Sequence, residues 1–241
     1  QYQLAQLYGN VLPDGFIEAR KACQAAIAEE DRNGHVPIVA LELMANLESR
    51  QAEALALKAL ELNEDNPERS ALFEEAKELA QAAIERLQGL LAITKYVQIA
   101  AAVDSPVQLS SNTERYALLG SAYKRFAMIL LQQNQAWPSI ETALRASLKA
   151  YSDAEGTELN AKLKAYPLIN RLQLTAVLNQ IDPLKFFELL DRAHTAVRAL
   201  FLGSNDFFDA AMSGDIDITR FLADEEITHS HADFIQLYVE A

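Results

Sequence analysis

Asn66-Pro67-Glu68-Arg69-Ser70-Ala71-Leu72-Phe73-Glu74-Glu75-Ala76-Lys77-Glu78-Leu79-Ala80-Gln81-Ala82-Ala83-Ile84-Glu85-Arg86-Leu87-Gln88-Gly89-Leu90 carries the fold decision. Leu72, Ala76, Leu79, Ala83, Leu87 and Leu90 recur at spacings of three and four, the period of one buried face of an α-helix. Glu78, Gln81 and Glu85 fall on the opposite side as solvated positions. Asn66 is a helix-capping residue type, and proline at the first helical position lacks only an N–H that would go unpaired anyway. The stretch therefore predicts a helix from 67 to about 93.

The same grammar of break and helix extends in both directions. Upstream, Pro13-Asp14-Gly15 precedes a helix expected over 16–31, whose packed side (Ala19, Cys23, Ala26, Ile27) is mostly small; Asn33-Gly34 closes it. Residues 37–63 carry Val39, Leu43, Leu47, Leu55, Leu57 and Leu60, a length that predicts a kink or a partner running alongside. Downstream, 94–108 reads as a short helix or a buried loop, with the choice open. Ser111-Asn112-Thr113-Glu114 has the form of a capping box and opens a helix to about 133. A turn over 134–138 leads to a helix over 139–154, with Gly156 placed to close it in the left-handed conformation. Further helices are expected over 158–165 and 167–179, separate or fused with a proline kink, and, after Asp182-Pro183, to about 202. Short pieces follow over 206–212, 215–225 and 231–239. Strand signals are nearly absent, because Ala, Leu, Glu, Gln and Lys dominate.

Helices of this length joined by brief turns pack antiparallel against their neighbours. A closed bundle and an open array of hairpins both fit that rule. Internal similarity favours the array: residues 43–52 echo 118–127, and Leu168-Ile169-Asn170 begins a third helix of similar grammar. The expected fold is all-α, an antiparallel helix-hairpin array. Divergent hairpins occupy 1–110 and more regular ones with C-terminal capping helices occupy 111–241, as one continuous domain.

Charge and cysteine content narrow the function classes. Lys plus Arg number 21 against 34 Asp plus Glu, a formal charge of -13, with no compact basic stripe. Such a chain repels a phosphate backbone and an anionic membrane surface, so no nucleic acid and no membrane are expected as partners. No run reaches the roughly 18 apolar residues of a membrane span. One cysteine, Cys23, excludes an internal disulfide and fits a reducing compartment, hence a cytoplasmic location. The opening Gln1-Tyr2-Gln3 has no methionine and no signal-peptide character, as expected of a piece of a longer protein.

Tyr116-Ala117-Leu118-Leu119-Gly120-Ser121-Ala122-Tyr123-Lys124-Arg125 resembles the first helix of a tetratricopeptide repeat, with Tyr116, Leu119, Gly120 and Tyr123 at the motif spacing. Ala143, Ser147 and Ala150 are acceptable for its second helix, although the intervening turn is longer than the repeat usually has. The resemblance implies an α-α superhelix in which Tyr116, Leu119, Gly120 and Tyr123 are seam residues, and Tyr166 is read as a further seam residue. In their order, Met44 to Arg50, Thr113 to Arg125, Tyr166 to Asn170 and Asp206 to Asp209 resemble the TRAFs-binding domain of bacterial tetratricopeptide proteins and stress-activated kinase kinase kinases. Bacterial members of that group are often joined to CHAT or caspase-like peptidase domains. The likeness implies a regulatory or scaffolding role; Leu168 stands where the kinase segments have glycine, so their partner is not carried over.

The interaction candidates are Lys124, Arg125, Asn170, Arg171 and Arg50, each weighed against a plain intramolecular role. Charge reversal of both Lys124 and Arg125 is expected to abolish partner capture without changing helicity or melting. His229, His231, Asp233 and Glu226 are the one metal-like cluster, but a spacing of two does not set both imidazoles on one helical face. No metal and no cofactor are expected. The sequence holds no nucleophile elbow, phosphate loop or dinucleotide fingerprint, so no catalytic residue is assigned and this segment is expected not to be an enzyme. Cys23 and His35 lack an orienting third group. The leading expectation is a module binding a protein or peptide. Its alternatives are a regulatory segment acting on an adjoining domain of the same polypeptide, and a small helical enzyme or ligand-binding bundle.

Overall fold

The computed structural model describes residues 15–34, 38–101, 110–156, 165–204 and 207–223. Among them are eight helices and no strand: α1 Phe16–Arg32, α2 Ile38–Leu60, α3 Pro67–Ala101, α4 Ser110–Gln132, α5 Trp137–Gly156, α6 Ala165–Val177, α7 Pro183–Ser204 and α8 Phe207–Ala223. The all-α array of antiparallel hairpins expected from periodicity is what the chain forms.

The breaks are built by the residues that announced them. Asn66 Oδ1 accepts the backbone N–H of Glu68 at 2.9 Å, satisfying a free donor in the first turn of α3. Gly34, at φ +74°, follows α1 in the left-handed region that a side chain would resist. Asn134 (φ +54°) and Asn179 (φ +52°) close α4 and α6 in the same region. The next residue donates back five positions in each case, Gln135 to Leu130 at 3.0 Å and Gln180 to Thr175 at 2.9 Å.

Three boundaries differ from the sequence reading. Helix α3 continues to Ala101, so 94–101 is helical; 102–108 lies outside the described residues. Gly156 is the last residue of α5 and is not among the residues with positive φ. The pieces expected over 206–212 and 215–225 are one helix, α8, running through Gly214. Ile216 and Thr219 are fully buried there, and the Thr219 hydroxyl donates to the Asp215 carbonyl at 2.6 Å. Packing of that face outweighs the local helix cost of one glycine. The pieces expected over 158–165 and 231–239 lie outside the described residues, apart from Ala165 itself.

The chain separates into two compact units, 1–147 and 148–241, and the division falls inside α5. In the first unit α2 is the central helix, packed against α1, α3 and α4. Its inward residues are small: Ala52, Ala56 and Ala59 meet Leu72, Phe73, Ala76, Leu79 and Ala80 of α3 and Ile129 of α4. On the α1 side, Ala19, Ala22, Cys23 and Ala26 meet Ala40, Met44 and Leu47. Alanine faces let helix axes approach closely, since interaxial distance follows the side chains at the contact. In the second unit α6, α7 and α8 pack pairwise around Leu168, Ile169, Leu172, Phe186, Leu190, Val197 and Ile216.

Candidate interaction surface

Helix α2 carries, besides its alanines, polar residues on several faces, and neighbouring helices reach Glu42, Glu48, Gln51 and Glu53 among them. Arg20 of α1 donates to Gln51 at 3.1 Å. Arg86 of α3 clasps Glu48 with both Nε (3.1 Å) and Nη2 (2.8 Å). Arg115 of α4 pairs with Glu42, and Arg125 of the same helix reaches Glu53 at 2.8 Å. Glu48 is 3 % exposed, so its charge is tolerable only because the guanidinium fork satisfies both oxygens.

The sequence candidates take their places around these ties. Arg125 lies over the α2–α4 seam: Nε donates to Glu53, and Nη1 to the buried hydroxyls of Ser121 (2.8 Å) and Ser49 (3.4 Å). Arg50 stacks on the Phe16 ring at 5.6 Å. Burial, and then the nearby charge of Arg125, lower its pKa, while Glu53 acts in the opposite sense. Arg50 and Arg125 are thus near each other, and half-buried Lys124 adjoins Arg125 in sequence. Asn170 and Arg171 belong to the second unit. Asn170 is buried, and its amide donates to the Tyr166 carbonyl one turn back at 3.0 Å. Arg171 forks onto Glu155 of α5 at 2.5 and 3.2 Å.

The seam candidates divide by depth. Leu119 and Gly120 are buried, and the Gly120 carbonyl accepts the Ser147 hydroxyl across the α4–α5 hairpin at 2.7 Å. That bond places the backbone of α4 within one side-chain length of α5. Tyr123 accepts a hydrogen bond from Gln88 of α3 at 2.8 Å, and burial raises its phenol pKa. Tyr116 is half-buried. Tyr166 is exposed on one side and meets Tyr151 edge-on, with centroids 6.1 Å apart.

Among the described residues of the first unit, hollows open at two places of note. One, of about 570 Å³, lies between α1 and α2, walled by Ile27, Leu41 and Met44 with Arg86 beside them. The other, of about 410 Å³, lies where the α2–α3 turn meets the end of α4, among Glu64, Phe73, Glu74 and the amides 132–135. Cys23 is fully buried, donates to the Ala40 carbonyl at 2.9 Å, and has its pKa pushed up to about 11, chiefly by burial. A thiol so placed is a poor nucleophile near neutral pH. His35, weighed with Cys23 as a dyad, and the His229/His231 cluster lie outside the described residues. Among the described residues no group of three His, Cys, Asp or Glu is placed to hold a metal, and no helix is long and apolar enough to cross a membrane.

Sequence reasoning missed the ties along α2. The available signal was charge out of place: Glu48 follows Leu47 on a face otherwise apolar, and Arg115 opens an apolar stretch. Which arginine meets which glutamate depends on helix order, which spacing along one helix does not contain. A family model described as Tetratricopeptide Repeats-Sensor, TPR-S, matches residues 15–175. No curated protein and no solved structure matches the chain.

Proposed function

Because the chain belongs to the Tetratricopeptide Repeats-Sensor family, we propose that it is a protein-interaction module whose contact face runs along α2 and α4. Helical repeats of this type serve protein interaction or scaffolding, since stacked hairpins leave one helix of each pair side by side on an extended surface. The observation that carries the choice of face is Arg125 lying over the α2–α4 seam among Ser49, Ser121 and Glu53, with Arg50, stacked on Phe16, near enough to feel its charge. A partner carboxylate or backbone carbonyl would find guanidinium N–H groups already held in position there, which lowers the ordering cost of binding. Arg171 is a secondary contact in this reading, buried Asn170 serves its own helix, and the compartment is the cytoplasm.

The test is affinity capture followed by calorimetry with the purified partner. Lys124→Glu and Arg125→Gln should each weaken binding at least tenfold, while Arg145→Gln, an exposed change on α5, should not. Equal affinity of all three variants would remove the α2–α4 face from the proposal.

A second reading has its own support. The family's description ends in "Sensor", and the likeness to the TRAFs-binding region, whose bacterial members adjoin peptidase-like domains, points the same way. In that reading the module controls an effector domain of its own polypeptide. Activity of such a domain that responds to Lys124→Glu when joined to this chain, and not when separate, would favour it.

A further inference from the structure

The hollow at the end of α4 is lined mainly by polar side chains. Gln132, Gln133, Asn134 and Gln135 line it in succession, together with Glu64 and Glu74. Arg69 is already engaged: Nη1 donates to the Leu62 carbonyl at 3.3 Å and the guanidinium covers the Phe73 ring at 5.9 Å. Lys77 holds Glu74 from its own helix at 2.9 Å. Glu64 lines the opening.

Gln133 is the unusual member. Its Nε2 donates to Glu74 Oε1 over a long 3.4 Å, and because a carboxylate only accepts, that contact fixes which end of the amide points where. The Oε1 end is buried and has no hydrogen-bond donor. A shielded acceptor without a donor is costly, and a weak bond on its other end is little to lose. The terminal torsion of glutamine is soft, so the amide turns readily toward a donor offered from the hollow. Side-chain amides carry a donor and an acceptor together, the same pair that each peptide unit presents.

We infer that this hollow is a second binding site, distinct from the α2–α4 face, for an extended peptide whose main-chain amides pair with Gln133 and Gln135 and whose basic side chain meets Glu64. It uses none of Arg50, Lys124 or Arg125, so it stands or falls independently of the proposed contact face. The net charge of -13 favours approach of a basic segment over an acidic one. About 410 Å³ accommodates a few residues of such a segment.

The probe is a fluorescein-labelled Ala-Lys-Ala-Lys-Ala-Lys-Ala peptide, read by anisotropy against the full chain. Three comparisons decide the matter. The same peptide with alternate backbone nitrogens methylated should bind at least tenfold more weakly, and the Glu-for-Lys peptide should not bind. Gln133→Leu should weaken the Lys peptide at least fivefold while raising Tm, since it removes the buried acceptor. Gln135→Ala, an exposed change, should weaken it without moving Tm. A purely structural Gln133 would give the rise in Tm with binding intact. That result, equal binding of the methylated peptide, or no binding of the Lys peptide, would overturn the inference.

Discussion

The two compact units solve helix packing with different side chains. Residues 1–147 put alanine at most helix crossings and join the helices by ion pairs between residues far apart in sequence, such as Arg86 with Glu48 and Arg115 with Glu42. Residues 148–241 fill their core with Leu, Ile, Phe and Val, with a half-buried fork, Arg171 on Glu155, and the Arg220–Asp191 pair at the surface. Alanine faces pack closely in many registers, because they offer little shape to choose among them. Charged forks have one good geometry and supply the missing choice. Large branched cores specify register through volume and need less polar help.

Each unit should accordingly be broken by a different change. The largest effect is expected for Arg86→Ala, which strands the buried Glu48 carboxylate and should cost about 3–5 kcal/mol. Trp137, the single tryptophan, lies in the first unit and its fluorescence in urea reports that loss. A cost below about 1 kcal/mol would mean the alanine faces set register alone. Leu190→Ala in the second unit should cost about 2–5 kcal/mol, read by far-UV circular dichroism, because Leu190 is fully buried in a branched core.

Cys23 gives the first unit an alkaline edge. Its thiol pKa rises from 9.0 to about 11 on folding, so the native state holds the proton more tightly than the unfolded chain. Stability from this group is fully present below pH 9.0 and is lost as pH rises toward about 11. Cys23→Ala should flatten that segment of the pH profile of urea midpoints. The smallest effect belongs to Arg220→Gln, at about 0–1 kcal/mol, because Asp191 is 67 % exposed and water replaces the lost partner. A larger loss would show that the second unit depends on polar ties at its surface as well.

Much of this architecture was legible from one chain. Leu72, Ala76, Leu79, Ala83 and Leu87 all lie buried on α3, and Asn66, Asn134 and Asp182 mark the breaks their residue types announce. Local chemistry decides such features. Gly214 misled because its helix is held by Ile216 and Thr219 against other helices, a tertiary effect with no local trace. The candidate surface was harder still. Arg125 was visible as a cation following an apolar face, but its ties to Ser49 and Glu53, some seventy residues away, depend on α2 and α4 lying side by side. Those ties also revise the charge-reversal expectation: a carboxylate at 125 would face Glu53, so melting would not stay unchanged, and Arg125→Gln is the cleaner variant.

The most direct test of the α2–α4 face is photo-crosslinking. Benzoylphenylalanine in place of exposed Met128, one turn along α4 from Lys124, or in place of the exposed Lys149 as a reference, is irradiated with the purified partner. Adducts at 128 and none at 149, abolished by Arg125→Gln, are the expected outcome. Adducts at 149 with none at 128 would contradict it.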